Sequence, residues 1–203
     1  MFVLYAVVAG LLLGLILGGR LSGLARLEFE WAPLIALGMA IQIALFSDAI
    51  ASNIGNAGPP IYIGSSLLVL AAVCRNWSIP GLPIVALGAV SNLAAIIANG
   101  GYMPASAEAL AAQGREAPSV YSNSAYLAQP ALAPLTDIFA MPTWMPLANV
   151  FSVGDVLIAI GIAAAIVVAM RRGPQTDGTP LDAAARATGG TGEMAIHDGA
   201  SRN

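Results

Sequence analysis

The sequence is poor in charge. Only 9% of its 203 residues are Asp, Glu, Lys or Arg, against roughly 25% in a typical soluble domain. So few ionic side chains cannot cover a globular surface. With 58% of residues hydrophobic, this excludes both a soluble enzyme and an intrinsically disordered chain. Lysine is absent, and all eight basic residues are Arg. They form no basic stripe, so nucleic acid is excluded as a partner. Cys74 is the only cysteine, and neither an intrachain disulfide nor a thiolate metal site can form. His197, the only histidine, stands in a polar C-terminal stretch. Imidazole metal sites and Ser-His-Asp catalysis in the membrane are therefore excluded. No metal and no cofactor are expected.

In place of charge the chain has long apolar runs, at about 2–19, 32–51, 61–74, 79–98 and 150–170. Roughly 20 apolar residues cross a bilayer core. The runs predict an all-α membrane domain, 1–170, of five transmembrane helices with the lipid bilayer as its main partner. The first run has no basic flank and no small-residue cleavage site, so no removable signal is expected. Pro33 opens the second run, Pro59-Pro60 the third, and Pro80 and Pro83 the fourth, positions where a missing N–H costs little.

Arginine placement orients these spans. Arg20 and Arg26 lie between the first and second, Arg75 between the third and fourth, and Arg171 and Arg172 directly after the fifth. All five fall on one side, which the positive-inside rule makes cytoplasmic. The N-terminus is then outside and the C-terminus inside. The external segment 99–149 holds six prolines. A short helix is expected at 105–112, and 130–146 is apolar enough to be re-entrant or interfacial. The tail 171–203 lacks large apolar residues and is expected to be disordered and cytoplasmic. Gly10, Gly14 and Gly18 share one face of the first span, a spacing that lets helices approach closely within the chain, in a homo-oligomer or against a membrane-protein partner.

Asp48, Asn92 and Asp155 are the strongly polar side chains within the spans. Such residues usually face protein or water. At about 1.5 Å per residue they lie roughly 5–9 Å below the outer boundary, in one outer-leaflet layer. Asn99, Gly100, Gly101, Tyr102 and Asp137 adjoin it. Each also has a structural reading. Asp155 suits the first turn of a helix with Ser152 as N-cap, Asn92 suits an interhelical hydrogen bond, and Asn99-Gly100-Gly101 suits a helix stop.

Two resemblances follow. Ser91-Asn92, then Asn99-Gly100-Gly101-Tyr102-Met103-Pro104, Thr136-Asp137-Ile138 and Phe151-Ser152-Val153-Gly154-Asp155-Val156-Leu157-Ile158 with Gly161 resemble an uncharacterised bacterial membrane family, the domain of unknown function numbered 5317. The likeness covers most of 1–170. It implies a bacterial cell membrane as the location and carries no activity. Separately, Phe151-Ser152-Val153-Gly154-Asp155 is similar to the Phe-Asn-x-Ala-Asp motif of lipoprotein signal peptidase, an intramembrane aspartic protease. The run from Gly88 to Ala95 is similar to that enzyme's other motif, in which an Asn precedes the second catalytic Asp by three positions. That resemblance implies catalysis at Asp155. However, Ala95 stands where the second aspartate belongs, and Ser152 replaces the motif's Asn. A dyad needs two carboxyls sharing a proton, and Asp137 is the candidate donor.

Three functions are expected in this order. The first is a non-enzymatic membrane protein whose outer polar cluster packs the bundle or binds a ligand or partner, through Asn92, Asn99, Gly100, Gly101, Tyr102 and Asp48. The second is an aspartic hydrolase with Asp155 and Asp137 as catalytic residues. The third is a small transporter or channel subunit.

Overall fold

A computed structural model describes residues 2–114, 124–125 and 127–172. The expected disorder of the tail concerns residues that, past Arg172, lie outside those described. The chain is mostly helical. Five apolar helices form its body: α1 (Phe2–Ile16), α2 (Ala32–Leu45), α4 (Gly58–Arg75), α5 (Leu82–Ala98) and α7 (Val153–Arg171). Two stretches, Gly55–Arg75 and Val153–Arg171, are long and apolar enough to cross a membrane; the other three helices are shorter. Large apolar side chains lie exposed along all five, among them Leu12 on α1, Ile43 on α2, Leu67 on α4, Leu87 on α5 and Ile160 on α7.

Helix starts follow the prolines. Pro stands in the first turn of α2, α4 and α5. The end of α1 is set by Gly18, which takes φ +77° and lets the Gly19 N–H return to the Gly14 carbonyl at 2.8 Å. A residue with a Cβ would be strained there. The run expected as one helix over 32–51 is broken. α2 stops at Leu45, and a separate four-residue α3 (Asp48–Ala51) follows. The Ser47 hydroxyl donates back to the Ala44 carbonyl at 2.6 Å, satisfying a group the helix end leaves open.

Small residues fix the packing. A Cβ on Gly10 would stand 3.0 Å from Ala163 Cα, and one on Gly14 2.5 Å from the Met170 sulfur. This glycine face therefore packs against α7 of the same chain, with α1 and α7 parallel. A Cβ on Gly88 would stand 2.4 Å from the Gly154 carbonyl, and one on Gly81 2.2 Å from the Gly161 carbonyl, so α5 runs antiparallel to α7. Gly38 meets Ser65 and Val69, and Gln42 donates to Ser66 at 3.3 Å, which makes α2 antiparallel to α4. Tyr62 of α4 packs with Ala95 and Ile96 of α5 while Val73 packs with Leu82 and Val85, so α4 and α5 are antiparallel too, and α1, α4 and α7 run one way and α2 and α5 the other.

The arginine-rich end is tied by Asn76, which sequence reasoning passed over. It is buried, accepts from the Glu30 N–H at 2.8 Å and donates to the Glu30 and Ala72 carbonyls at 2.7 and 2.8 Å. Arg75 pairs with Glu30 at 2.5 Å, with both side chains about half exposed.

The opposite end carries a cap made by the segment after α5. The expected helix at 105–112 is α6 (Ala107–Ala112), with Ser106 as N-cap accepting from the Ala109 N–H at 3.1 Å. Among the described residues, four two-residue strands add a little sheet to the expected all-α chain. β1 (Met103–Pro104) pairs parallel with β2 (Ser124–Ala125), and β3 (Phe139–Ala140) pairs antiparallel with β4 (Val150–Phe151). The fifth apolar run therefore begins as strand, and its helix starts at Val153 rather than 150. Phe151 stacks between Phe2 of α1 and Phe139 of the cap, at centroid distances of 4.5 and 5.4 Å.

Candidate functional site

The start of α7 organises the site. Ser152 is the N-cap: its hydroxyl accepts from the Asp155 N–H at 3.0 Å, and the Asp155 Oδ2 accepts from the Ser152 N–H at 3.1 Å. This capping box satisfies two of the helix's open donors. Asn92 of α5 closes a ring with it. Its Nδ2 donates to Asp155 Oδ1 at 2.8 Å, and its Oδ1 accepts from the Ser152 hydroxyl at 2.7 Å. Gly154 makes room for this, since a Cβ there would stand 1.9 Å from Asn92 Oδ1. Both Asp155 carboxylate oxygens therefore already accept hydrogen bonds from the chain.

The cap brings a second carboxyl to the same place. The Asp137 N–H donates to the Pro104 carbonyl at 2.9 Å, and its carbonyl accepts from the Ser106 N–H at 3.0 Å. These bonds make a parallel bridge beside Ala105 that pins the residue, and Asp137 is only 6% exposed. Burial disfavours the charged form and, with the neighbouring charge of Asp155, pushes its carboxyl from 3.8 up to about 7.

Between the cap and the helix ends lies a cavity of about 150 Å³. Asp137, Asp155, Asn92, Asn149 and Tyr62 bring polar groups to its wall; Phe2, Ile96 and Met103 make part of the apolar remainder. Two carboxyls and amide groups around a partly open cavity can pair with a positively charged or hydrogen-bond-donating molecule. Among the described residues no group of three or more His, Cys, Asp and Glu could hold a metal ion. Tyr62, Asn149 and Phe2 were not anticipated. They come from three separate segments, and no local pattern in the sequence marks them.

Asp48, Asn99, Gly100, Gly101 and Tyr102 do not line this cavity. Asp48 starts α3 and is exposed, on a separate turn after the end of α2 at Leu45. Asn99 is a clamp: it donates to the Ala95 and Ala131 carbonyls at 2.8 and 2.9 Å and accepts from the Ala131 N–H at 2.8 Å. It holds the folded-back segment to the end of α5. Gly100 and Gly101 turn the chain with φ +70° and +90°, and a Cβ on Gly101 would stand 2.3 Å from Pro59. Tyr102, half-buried, leads into β1. Ala95, at the position of the peptidase motif's second aspartate, is fully buried in an apolar cluster with Leu45, Tyr62, Ile96 and Met103.

The model of a family of unknown function, DUF5317, matches residues 26–167. The chain belongs to this family. The match takes in Asn92, Asp137, Ser152 and Asp155, so the hydrogen-bonded ring and the buried carboxyl both lie in the family's part of the chain. It begins after α1, which leaves Phe2 of the cavity wall outside it. No curated protein and no solved structure matches the chain.

Proposed function

We propose that this DUF5317 member is a five-span membrane protein, N-terminus outside and C-terminus cytoplasmic, that holds a small polar ligand in the cavity under its external cap and performs no catalysis. The alternating helix directions support the five spans. So does the gathering of Arg26 and Arg75 at the end away from the cap, the pattern expected of a cytoplasmic face. The single observation that carries the ligand reading is the partly open polar cavity with the buried Asp137 on its wall. A chain that needed only to pack its helices would gain by closing that space with apolar side chains.

Val3 gives the test, since it lines the cavity and is 38% exposed. In a Cys74→Ser background, Val3→Cys is expected to react with a membrane-impermeant thiol reagent added to intact cells. Reaction only after the membrane is opened would refute both the orientation and an outward-facing cavity.

A second reading is favoured by one specific observation. Asp137 and Asp155 share one cavity, and the Asp137 carboxyl is raised to about 7, as one member of an aspartic dyad must be if the pair is to share a proton. Against it, Asp155 spends both oxygens on the capping box and Asn92. Under this reading Asp137→Asn abolishes cleavage of a membrane-embedded peptide while the fold persists.

A further inference from the structure

We propose that Arg20, Arg171 and Arg172 form a site for the phosphate group of an anionic phospholipid, in the leaflet away from the cap. This rests on the membrane placement given above and is independent of the cavity. The three arginines come from two segments far apart in sequence, and packing joins those segments. The Arg20 N–H donates to the Met170 carbonyl at 2.7 Å. Gly19 and Gly23 let the chain close on the end of α7: a Cβ on Gly19 would stand 2.8 Å from Met170 Cβ, and one on Gly23 2.2 Å from the Ala169 carbonyl oxygen. The chain after α1, with its short 3-10 turn Leu21–Arg26, thus lies against the last turn of α7 and sets Arg20 beside Arg171 and Arg172. All three side chains are exposed. Among the described residues no acid pairs with them, and Glu30 at the same end is held by Arg75.

Three guanidinium groups gathered at one helix end repel one another. The partial negative charge at the C-terminal end of α7 offsets part of that repulsion, and an anion placed among them offsets more. Arginine suits phosphate in particular, because its planar fork of N–H donors matches two phosphate oxygens at once. The flank selects a lipid over a dissolved phosphate. Ile16 is 79% exposed, and Leu17 and Leu21 on either side of Arg20 are exposed as well. A phospholipid offers its phosphate to the arginines and its acyl chains to these side chains together. Basic pockets between membrane helices at the cytoplasmic face take acidic head groups in this way.

The test uses the purified full-length protein in detergent, with an equimolar mixture of phosphatidylglycerol and phosphatidylcholine of identical acyl chains, and reads the bound lipids by native mass spectrometry. Each arginine beside an anionic head group contributes roughly fivefold, so phosphatidylglycerol is expected to be held at least about tenfold more tightly. Glycerol 3-phosphate, which has the phosphate without the acyl chains, is expected not to displace it at the same concentration. Two double variants that keep the parent's thermal transition remove equal charge from the same end. Arg20→Gln with Arg171→Gln is expected to bring the two lipids within about twofold, whereas Arg26→Gln with Arg75→Gln keeps the preference. Should the first pair fail to fold, Arg172→Gln, at the very end of α7, takes its place with an expected loss of roughly fivefold. If the parent holds both lipids alike, the membrane placement stands and the phosphate site falls. A protein that stays monodisperse without detergent overturns the membrane placement and the site with it. Displacement by glycerol 3-phosphate overturns the lipid assignment. Equal losses in the two double variants overturn the role given to these three arginines, because charge spread over that end would then attract the lipid.

Discussion

Asp137 makes the stability of this protein depend on pH in a direction opposite to that of most carboxylates. Its folded-state value is raised, from 3.8 to about 7, first by burial and then by the charge of Asp155. Between those two values the folded chain holds a proton that the unfolded chain has lost. Stability from this group is therefore fully present below pH 3.8 and is lost as pH rises toward 7. Above that it falls no further. A rise of roughly three pH units corresponds to about 4 kcal/mol. Asp137→Asn removes the titration and keeps the shape. The assay is unfolding of parent and variant in the same detergent, followed by tryptophan fluorescence at a series of pH values. Carboxylates other than Asp155, whose charge acts on Asp137, titrate alike in both proteins and cancel in the difference. The variant is expected to gain on the parent by about 3 kcal/mol between pH 5 and pH 8. A stability difference that stays constant, or one that shifts in favour of the parent as pH rises, would refute the burial of this carboxyl beneath the cap.

Two further outcomes test the packing at either end of the bundle. Gly154→Ala places a Cβ 1.9 Å from Asn92 Oδ1 and 2.7 Å from the Gly88 carbonyl, so Asn92 must leave the ring. Overpacking and two lost hydrogen bonds together cost about 3–5 kcal/mol, while Gly64→Ala, with nothing within 4 Å, serves as the near-neutral control in thermal unfolding. At the arginine-rich end, Asn76→Ala strands the Glu30 N–H and two carbonyls and is expected to cost about 2–3 kcal/mol, whereas Arg75→Ala, which breaks only an exposed ion pair, costs less than about 1 kcal/mol. Equal losses from the two variants would show that the ion pair, and not the buried amide, holds that end.

Much of the bundle was legible because its signals are local. Apolar runs, first-turn prolines and flanking arginines each act within a few residues, and they mark the five apolar helices to within a turn at most boundaries. Ser152 as N-cap of α7 and a short helix within 105–112 were legible for the same reason, though its cap at Ser106 was not. Hydropathy alone could not show the break after Leu45. Phe46 is as apolar as what precedes it, and the stop depends on Ser47 bonding back to the Ala44 carbonyl. Asp48 was accordingly read as part of one long helix, whereas it starts a separate short one.

Composition and spacing alone determined that this is an apolar helical chain with arginines in alternate gaps between its apolar runs and a long proline-rich segment, holding Arg115, before the last run. Charge too sparse for a soluble surface and the periodic placement of arginine are properties of the string itself. Only the tertiary structure decided what the polar residues do. It gave Asn99 to a clamp and Asn92 to a ring with Ser152 and Asp155, and it set Asp137 beside a cavity whose walls come from α1, α4, α5, α7 and the cap. Those partners lie as far apart in the sequence as Phe2 and Asp155, and side chains that far apart meet only through packing. Glycines that let α5 lie against α7 brought Asn92 to Asp155, and a backbone bridge at Pro104–Ser106 folded Asp137 in over them.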